Sequence, residues 1–339
     1  MKGVRIVLGL LLALGLASPG AGGQDAPEPE QRIAYWSIQA ENDLWGDGED
    51  RHYTHGTKFS VAPAGDPPRW LRWLGGYVPF FAPGHAAGVE FSIGQSIFTP
   101  DDIEDPNLIV DDRPYAGWLY ASATLLGVLE ETPARRVSNA LEVALGVVGP
   151  SSGADEVQCR WHEFIDTRIP RGWDHQLHDE LGLELTYTRI WEHFGRIGAQ
   201  GPEFSLAPHA VAALGNVYTY AGAGGMLRFG YNLRGDLGPP AISPSFPGSA
   251  YFRTRSSWSG YLFAGVEGRL MARNIFLDGN TFRDSHSVDR RVGVGDLQIG
   301  AALRYRNVRV AFSNVYRSKE FHGQVESTDY GAINLTLLY

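Results

Sequence analysis

The stretch Leu297-Gln298-Ile299-Gly300-Ala301-Ala302-Leu303-Arg304-Tyr305 decides the fold. Leu297, Ile299, Ala301, Leu303 and Tyr305 take every second position, and Gln298, Gly300, Ala302 and Arg304 fill the places between. A period of two is that of a β-strand with one apolar face, because successive side chains point to opposite sides. The pattern continues downstream. Val310, Phe312 and Tyr316 alternate with Arg309, Ala311 and Ser313, and Ile333, Leu335, Leu337 and Tyr339 alternate with Ala332, Asn334 and Thr336. A soluble sandwich also alternates. A membrane barrel is favoured by strands of ~10 residues, by Arg304 and Arg306 assigned to the inner face, and by the aromatic Tyr339 ending an alternating strand.

Working outward, the same period places strands near 33–43, 54–63, 87–98, 115–129, 138–148, 183–194, 203–214, 217–231, 259–273, 294–306, 308–318 and 330–339. The expected fold is all-β: a twelve-stranded antiparallel transmembrane β-barrel over 33–339, with a short helix at 155–167 in an outer loop. From Gln31 onward there is no run of eighteen apolar residues, and without a spanning helix only a closed barrel satisfies its backbone in lipid. The 64–86 connection is rich in Pro, Trp and Phe and is predicted to hold a small amphipathic helix at the inner-leaflet interface. Trp118, Tyr120 and Trp191 are expected in an aromatic girdle. A terminal aromatic such as Tyr339 resembles the signal read by barrel-assembly machinery, an expected partner during insertion.

Lys2 and Arg5 precede an apolar stretch, Ile6 to Ala17, and then small residues, which is the pattern of a secretory signal peptide. It is assigned to 1–23, with a periplasmic leader at 24–32. The whole chain of 339 residues has 29 basic and 38 acidic residues, a net charge of -9, and removal of the signal leaves 27 against 38, or -11. Nucleic-acid binding rests on phosphate neutralisation and is not expected of such a chain. The single cysteine, Cys159, excludes an intrachain disulfide and any zinc site built on paired cysteines.

Polar motifs collect at one expected rim. They are Glu41-Asn42-Asp43; Asp50 to Gly56, including Tyr53 and Thr54; Thr99-Pro100-Asp101-Asp102; Arg113-Pro114-Tyr115-Ala116-Gly117; Gly149-Pro150-Ser151-Ser152; Val157 to His162; and Gly172-Trp173-Asp174-His175-Gln176-Leu177. A rim that gathers carboxamide, carboxylate, hydroxyl and imidazole has the parts of a hydrolytic site. Histidine, with a reference pKa near ~6.5, suits base work at neutral pH. Of ten histidines, His162 stands out by its place in the largest outer loop. Asp43 is a hard oxygen ligand suited to calcium, or else a solvated loop carboxylate beside Asp47, Glu49 and Asp50. Asn42 orients substrate or the metal shell, or ends a strand as a turn residue. Thr54 is a site hydroxyl or an ordinary strand residue. No serine sits in a GxSxG elbow. Arg113 is expected to pair with a carboxylate such as Asp112 or Asp101, and Trp161 and Trp173 to pack the loop helix on the rim.

In their order and type these seven blocks resemble the outer-membrane lipid A 3'-O-deacylase family, over about Ile33 to Tyr339. The resemblance implies a twelve-stranded barrel in the bacterial outer membrane. It implies calcium-dependent hydrolysis of the 3'-linked acyloxyacyl ester of lipid A, in lipopolysaccharide, by a monomer facing the outer leaflet. Carried over by position, Asn42, Thr54 and His162 are catalytic, with His162 as general base, and Asp43 binds the metal. The family's glutamate six residues after the histidine is Arg168 here, and Asp166, four residues after His162, is assigned to replace it. Two other readings stay open: a non-enzymatic barrel, either narrow channel or structural protein, and an outer-membrane phospholipase.

Overall fold

The computed structural model describes residues 34–46, 52–78, 86–132, 134–236, 238 and 256–339. The signal peptide and leader assigned to 1–32 lie outside these residues, as does the acidic run at 47–50. Twelve strands follow in order: β1 Tyr35–Asn42, β2 His52–Ala62, β3 Ala86–Thr99, β4 Ala116–Glu131, β5 Arg135–Val148, β6 Glu180–Arg196, β7 Glu203–Gly215, β8 Tyr218–Tyr231, β9 Trp258–Asn274, β10 Gly293–Tyr305, β11 Val308–Arg317 and β12 Thr328–Leu338. Each pairs antiparallel with its sequence neighbours, and β1 closes on β12 from Tyr35↔Leu338 to Asn42↔Gly331. Every strand read from the alternation is present, and closure leaves no edge with unpaired backbone.

The apolar set of β10 lies on the outer wall: Leu297, Ile299 and Leu303 are exposed, while Gln298, Ala302 and Arg304 are buried inside. Arg306 is not an inward residue. It is exposed, at φ 52°, in the tight turn after β10, one step beyond the last paired position. Trp118 and Tyr120 are not girdle residues either. Both are buried in the lumen, stacked at 4.3 Å, because they share parity with the inward Ser122 and Thr124 of β4.

The lumen is crossed by ion pairs. Arg228 pairs with Glu192, and so does Arg136. Asp236 follows β8, folds back into the barrel, and receives Arg309 Nε at 2.7 Å and the Tyr261 hydroxyl at 2.9 Å. Burial alone would raise the Asp236 carboxyl, but Arg309 and Arg228 hold it below the usual carboxylate range. Farther along, Glu267 joins His209 to Arg269, and Asp296 takes both Arg269 (2.9 Å) and Arg317 (3.0 Å). These side chains fill the interior of a barrel too wide for apolar residues alone.

Among the described residues three α-helices decorate the barrel: α1 Arg69–Gly75, α2 Ala154–Ile165 and the single turn α3 Ile275–Asp278. In α1 the buried Leu71 packs on Val89, Ala123, Leu125 and Leu141, while Trp70 and Trp73 stay exposed. Those contacts lie on the outer wall, at the barrel end opposite α2, so the predicted amphipathic helix forms.

Candidate active site

The site is built on the outer face of the wall. Asn42 has the parity of the exposed Trp36 and Ile38, so its side chain points away from the lumen. Its carboxamide has two structural bonds. Nδ2 donates to the Thr54 carbonyl at 2.9 Å, and Oδ1 accepts from Leu44 N at 3.0 Å, capping the short 3-10 turn Asp43–Trp45. That cap holds Asp43, which is 1% exposed, at the first turn position. In β2 the register shifts between Tyr53 and His55, and Thr54 is the extra residue of the bulge. A bulge re-aims a side chain. Here the Thr54 hydroxyl meets the Thr99 hydroxyl at 2.7 Å. Thr99 has the outward parity of Phe91 and Ile93, so both hydroxyls sit on the outer wall.

The loop helix is laid over that wall. Gly149 (φ 103°) and Gly153 (φ 65°) take left-handed conformations that turn the chain from β5 into α2. A Cβ at Gly117 would stand 2.2 Å from both Ala154 Cβ and Ser152 Oγ, so the helix start lies directly on β4. Gln95 Nε2 donates to the Ser152 carbonyl at 2.7 Å, and Ile97 packs with Ala154, Tyr115 and Trp173. The buried positions of α2 are Ala154, Gln158 and His162, at a spacing of four, so His162 is on the face turned to the wall.

At His162, which is 3% exposed, Nδ1 meets the backbone carbonyl of Arg168. A carbonyl oxygen only accepts, so Nδ1 carries the proton and Nε2 is the basic nitrogen of the neutral ring. The helical alignment expected for Asp166 does not form. Asp166 ends α2 in the left-handed conformation (φ 55°) and is exposed, because the fourth residue after His162 has already left the helix. Position 168 serves the histidine through its main chain, which no side-chain reading of Arg168 reveals.

The supporting contacts depart from the sequence reading at Arg113 and at Trp161. Arg113 does pair with a carboxylate, but that of Glu320 (3.4 Å), and lies over Phe98 and Phe321. Asp112 instead accepts the backbone N–H groups of Asp101 and Arg113, each at 2.7 Å; burial raises its carboxyl and these bonds oppose the rise. Trp173 is buried and donates to Gln158 at 2.9 Å, as a rim-packing residue should, but Trp161 is exposed. Glu320 is not marked by any sequence motif, since the bond that reveals it crosses 207 residues of chain; Thr99 belongs to one of the rim blocks, but its bond to Thr54, across 45 residues, is visible only in the fold. Burial pushes the Cys159 thiol up, with Asp155 and Glu163 adding to the rise, which leaves it a poor nucleophile.

Among the described residues no group of three or more His, Cys, Asp or Glu side chains converges. Asp43 would offer a calcium at this turn a carboxylate, the hard oxygen donor that the ion takes.

The family model described as "Outer membrane protein LpxR" matches residues 7–339. The chain belongs to the LpxR family. Its closed twelve-stranded barrel is accordingly an outer-membrane barrel. Among solved structures, LpxR from Salmonella typhimurium has the same fold, with a TM-score of 0.72 and 22% identity over 90% of this chain and 100% of that one. The β domain of the Bordetella autotransporter BrkA aligns with a TM-score of 0.43 at 8% identity, over 91% of this chain and 100% of that one. No curated protein matches.

Proposed function

We propose that this LpxR-family barrel is a lipid A 3'-O-deacylase, a carboxylic ester hydrolase acting on the 3'-linked acyloxyacyl ester of lipopolysaccharide from the outer leaflet. The observation that carries the reading is His162 on the wall-facing side of α2, its Nδ1–H bonded to the Arg168 carbonyl. That bond orients the ring and leaves Nε2 to take a proton from water. The water oxygen attacks the ester carbonyl carbon, and a tetrahedral oxyanion forms. The imidazolium then returns the proton to the departing sugar oxygen, freeing the 3'-hydroxyl and releasing the acyloxyacyl chain as a carboxylic acid, which gives its remaining proton to the solvent. Asn42 acts as a positioning residue that fixes the Asp43 turn against Thr54. Thr54, with Thr99 behind it, offers a hydroxyl on the same wall. Asp43 would hold calcium, which when bound supplies positive charge for the oxyanion. The acyl chains of the substrate are membrane-embedded, and a site on the outer wall meets them without passage through the lumen.

The channel alternative draws no support from the interior, where Arg228, Arg269, Arg309 and Arg317 are taken up in ion pairs. Mass spectrometry of lipid A from cells with the wild-type chain, Asp43→Ala, or no protein tests the proposal. The wild type is expected to produce a species lacking the 3'-acyloxyacyl group, and Asp43→Ala to abolish it without rescue by added calcium. An unchanged lipid A profile with folded wild type would overturn the reading, and full activity in excess chelator would remove the metal from it.

A further inference from the structure

Beyond the reaction itself, α2 has a second face whose contacts the site does not explain. Val157, Trp161 and Phe164 follow the spacing of one helix flank and are 43%, 46% and 79% exposed. The rings of Trp161 and Phe164 lie 5.7 Å apart, and Val157 stands one turn before Trp161 on the same flank, so the three line one apolar ridge. At about 100° per residue the ridge stands roughly a quarter turn from the buried Ala154–Gln158–His162 face. On the opposite flank Cys159 packs against the return segment, its Sγ reaching the Pro170 carbonyl, beside the rim residues Tyr115 and Trp173. The ridge therefore faces away from the rim loops, back along the outer wall. Side chains directly opposite the wall are charged and exposed, with Glu156 and Arg160 paired at 2.5 Å.

We propose that α2 is seated in the membrane, with Val157, Trp161 and Phe164 in the hydrocarbon boundary of the adjoining leaflet and the Glu156–Arg160 face toward water. The occupant of the ridge is lipid. The argument is continuity: α2 lies on β3 and β4, and the wall beside it exposes Ile93 (54%) and, on β5, Leu145 (52%) as part of the barrel's lipid-facing surface. A ridge of Trp and Phe flanked by charge is the composition of a helix lying in the interface plane. Left in water, three large apolar side chains in contact would be an unusual monomer surface. Seated this way, α2 bridges the membrane and the wall-facing His162, so one helix both anchors and carries the base.

The test uses the full chain with Cys159→Ser, refolded into phosphatidylcholine vesicles whose acyl chains are brominated or not. A bimane label is placed at Phe164→Cys and, separately, at Val157→Cys. Leu145→Cys is the lipid-facing reference and Arg160→Cys the aqueous one, and heat-modifiable migration checks folding of each. Both ridge labels are expected to lose fluorescence in brominated vesicles as the Leu145 label does. Iodide in the buffer is expected to quench them several-fold less than the Arg160 label. Quenching by iodide and not by bromine at either ridge position overturns the proposal. Protection from both quenchers also overturns it, and assigns the ridge to a protein surface such as a second copy. No arm depends on hydrolysis, so failure here leaves the deacylase reading standing and the converse.

Discussion

Inside the barrel, charged side chains are numerous and many are held by several others; on the outside, under α2, polar side chains are few and the chain itself does much of the holding. Arg228 alone touches Glu192, Asp236 and Ser205. At the rim, by contrast, Asn42 is bonded to two main-chain groups and His162 to a third. The difference separates two uses of polarity. Buried charges need charged partners, because desolvation is costly and one missing partner strands the other. A site exposed to substrate needs fixed direction more than charge, and main-chain groups provide direction without adding a competing ion.

The largest expected effect is on the outside. His162→Ala should lower lipid A hydrolysis by ~10²–10⁴-fold, the range for a lost acid–base group, with heat-modifiable migration unchanged. Wild-type turnover in that variant would remove the base from the outer wall altogether. Next is the inside: Glu192→Leu leaves Arg136 and Arg228 without their shared carboxylate and should cost roughly 3–5 kcal/mol in urea unfolding. Its counterpart on the lipid face, Ile299→Arg, should cost roughly 2–4 kcal/mol. If Glu192→Leu is the milder of the two, the paired interior is not where stability resides.

Acid sharpens the same contrast. The folded Asp236 carboxyl lies below its unfolded value, so the stability it contributes is complete above about pH 4 and is lost as pH falls through the folded value. Asp236→Asn should flatten the acid limb of the stability profile, followed by unfolding midpoint against pH, and an unaltered limb would refute the assignment. The smallest effect is expected at the two positions after α2 where the resemblance looked for a carboxylate. Arg168→Ala and Asp166→Asn should each leave turnover within about 2-fold, as for exposed positions generally, since the carbonyl and not either side chain meets His162. A loss in Asp166→Asn approaching that of His162→Ala would restore the carboxylate to the mechanism.

Much of this was legible in the sequence. Alternation is a local property with one sign change per residue, so twelve strands, their order and their lipid faces follow from it. The loop helix and the α1 helix were also readable, from composition and spacing. The errors share a cause. Trp118 and Tyr120 were assigned by residue type to a girdle, whereas strand parity puts them in the lumen. Arg306 lies one residue past the end of its strand, and Trp161 belongs to a helix flank that is turned away from the rim.

The sequence by itself determined the class of architecture, the family, and the residue types at the rim, because each is written in short-range pattern: period two for strands, fixed motifs for loops. Tertiary structure alone decided which face of the wall carries the site and which group steadies His162. Both depend on closure and on where α2 comes to rest, and they join residues far apart in the chain through register and main-chain carbonyls. A carbonyl is the same at every residue, so Arg168 could hold the histidine without its side chain bearing any trace of the task.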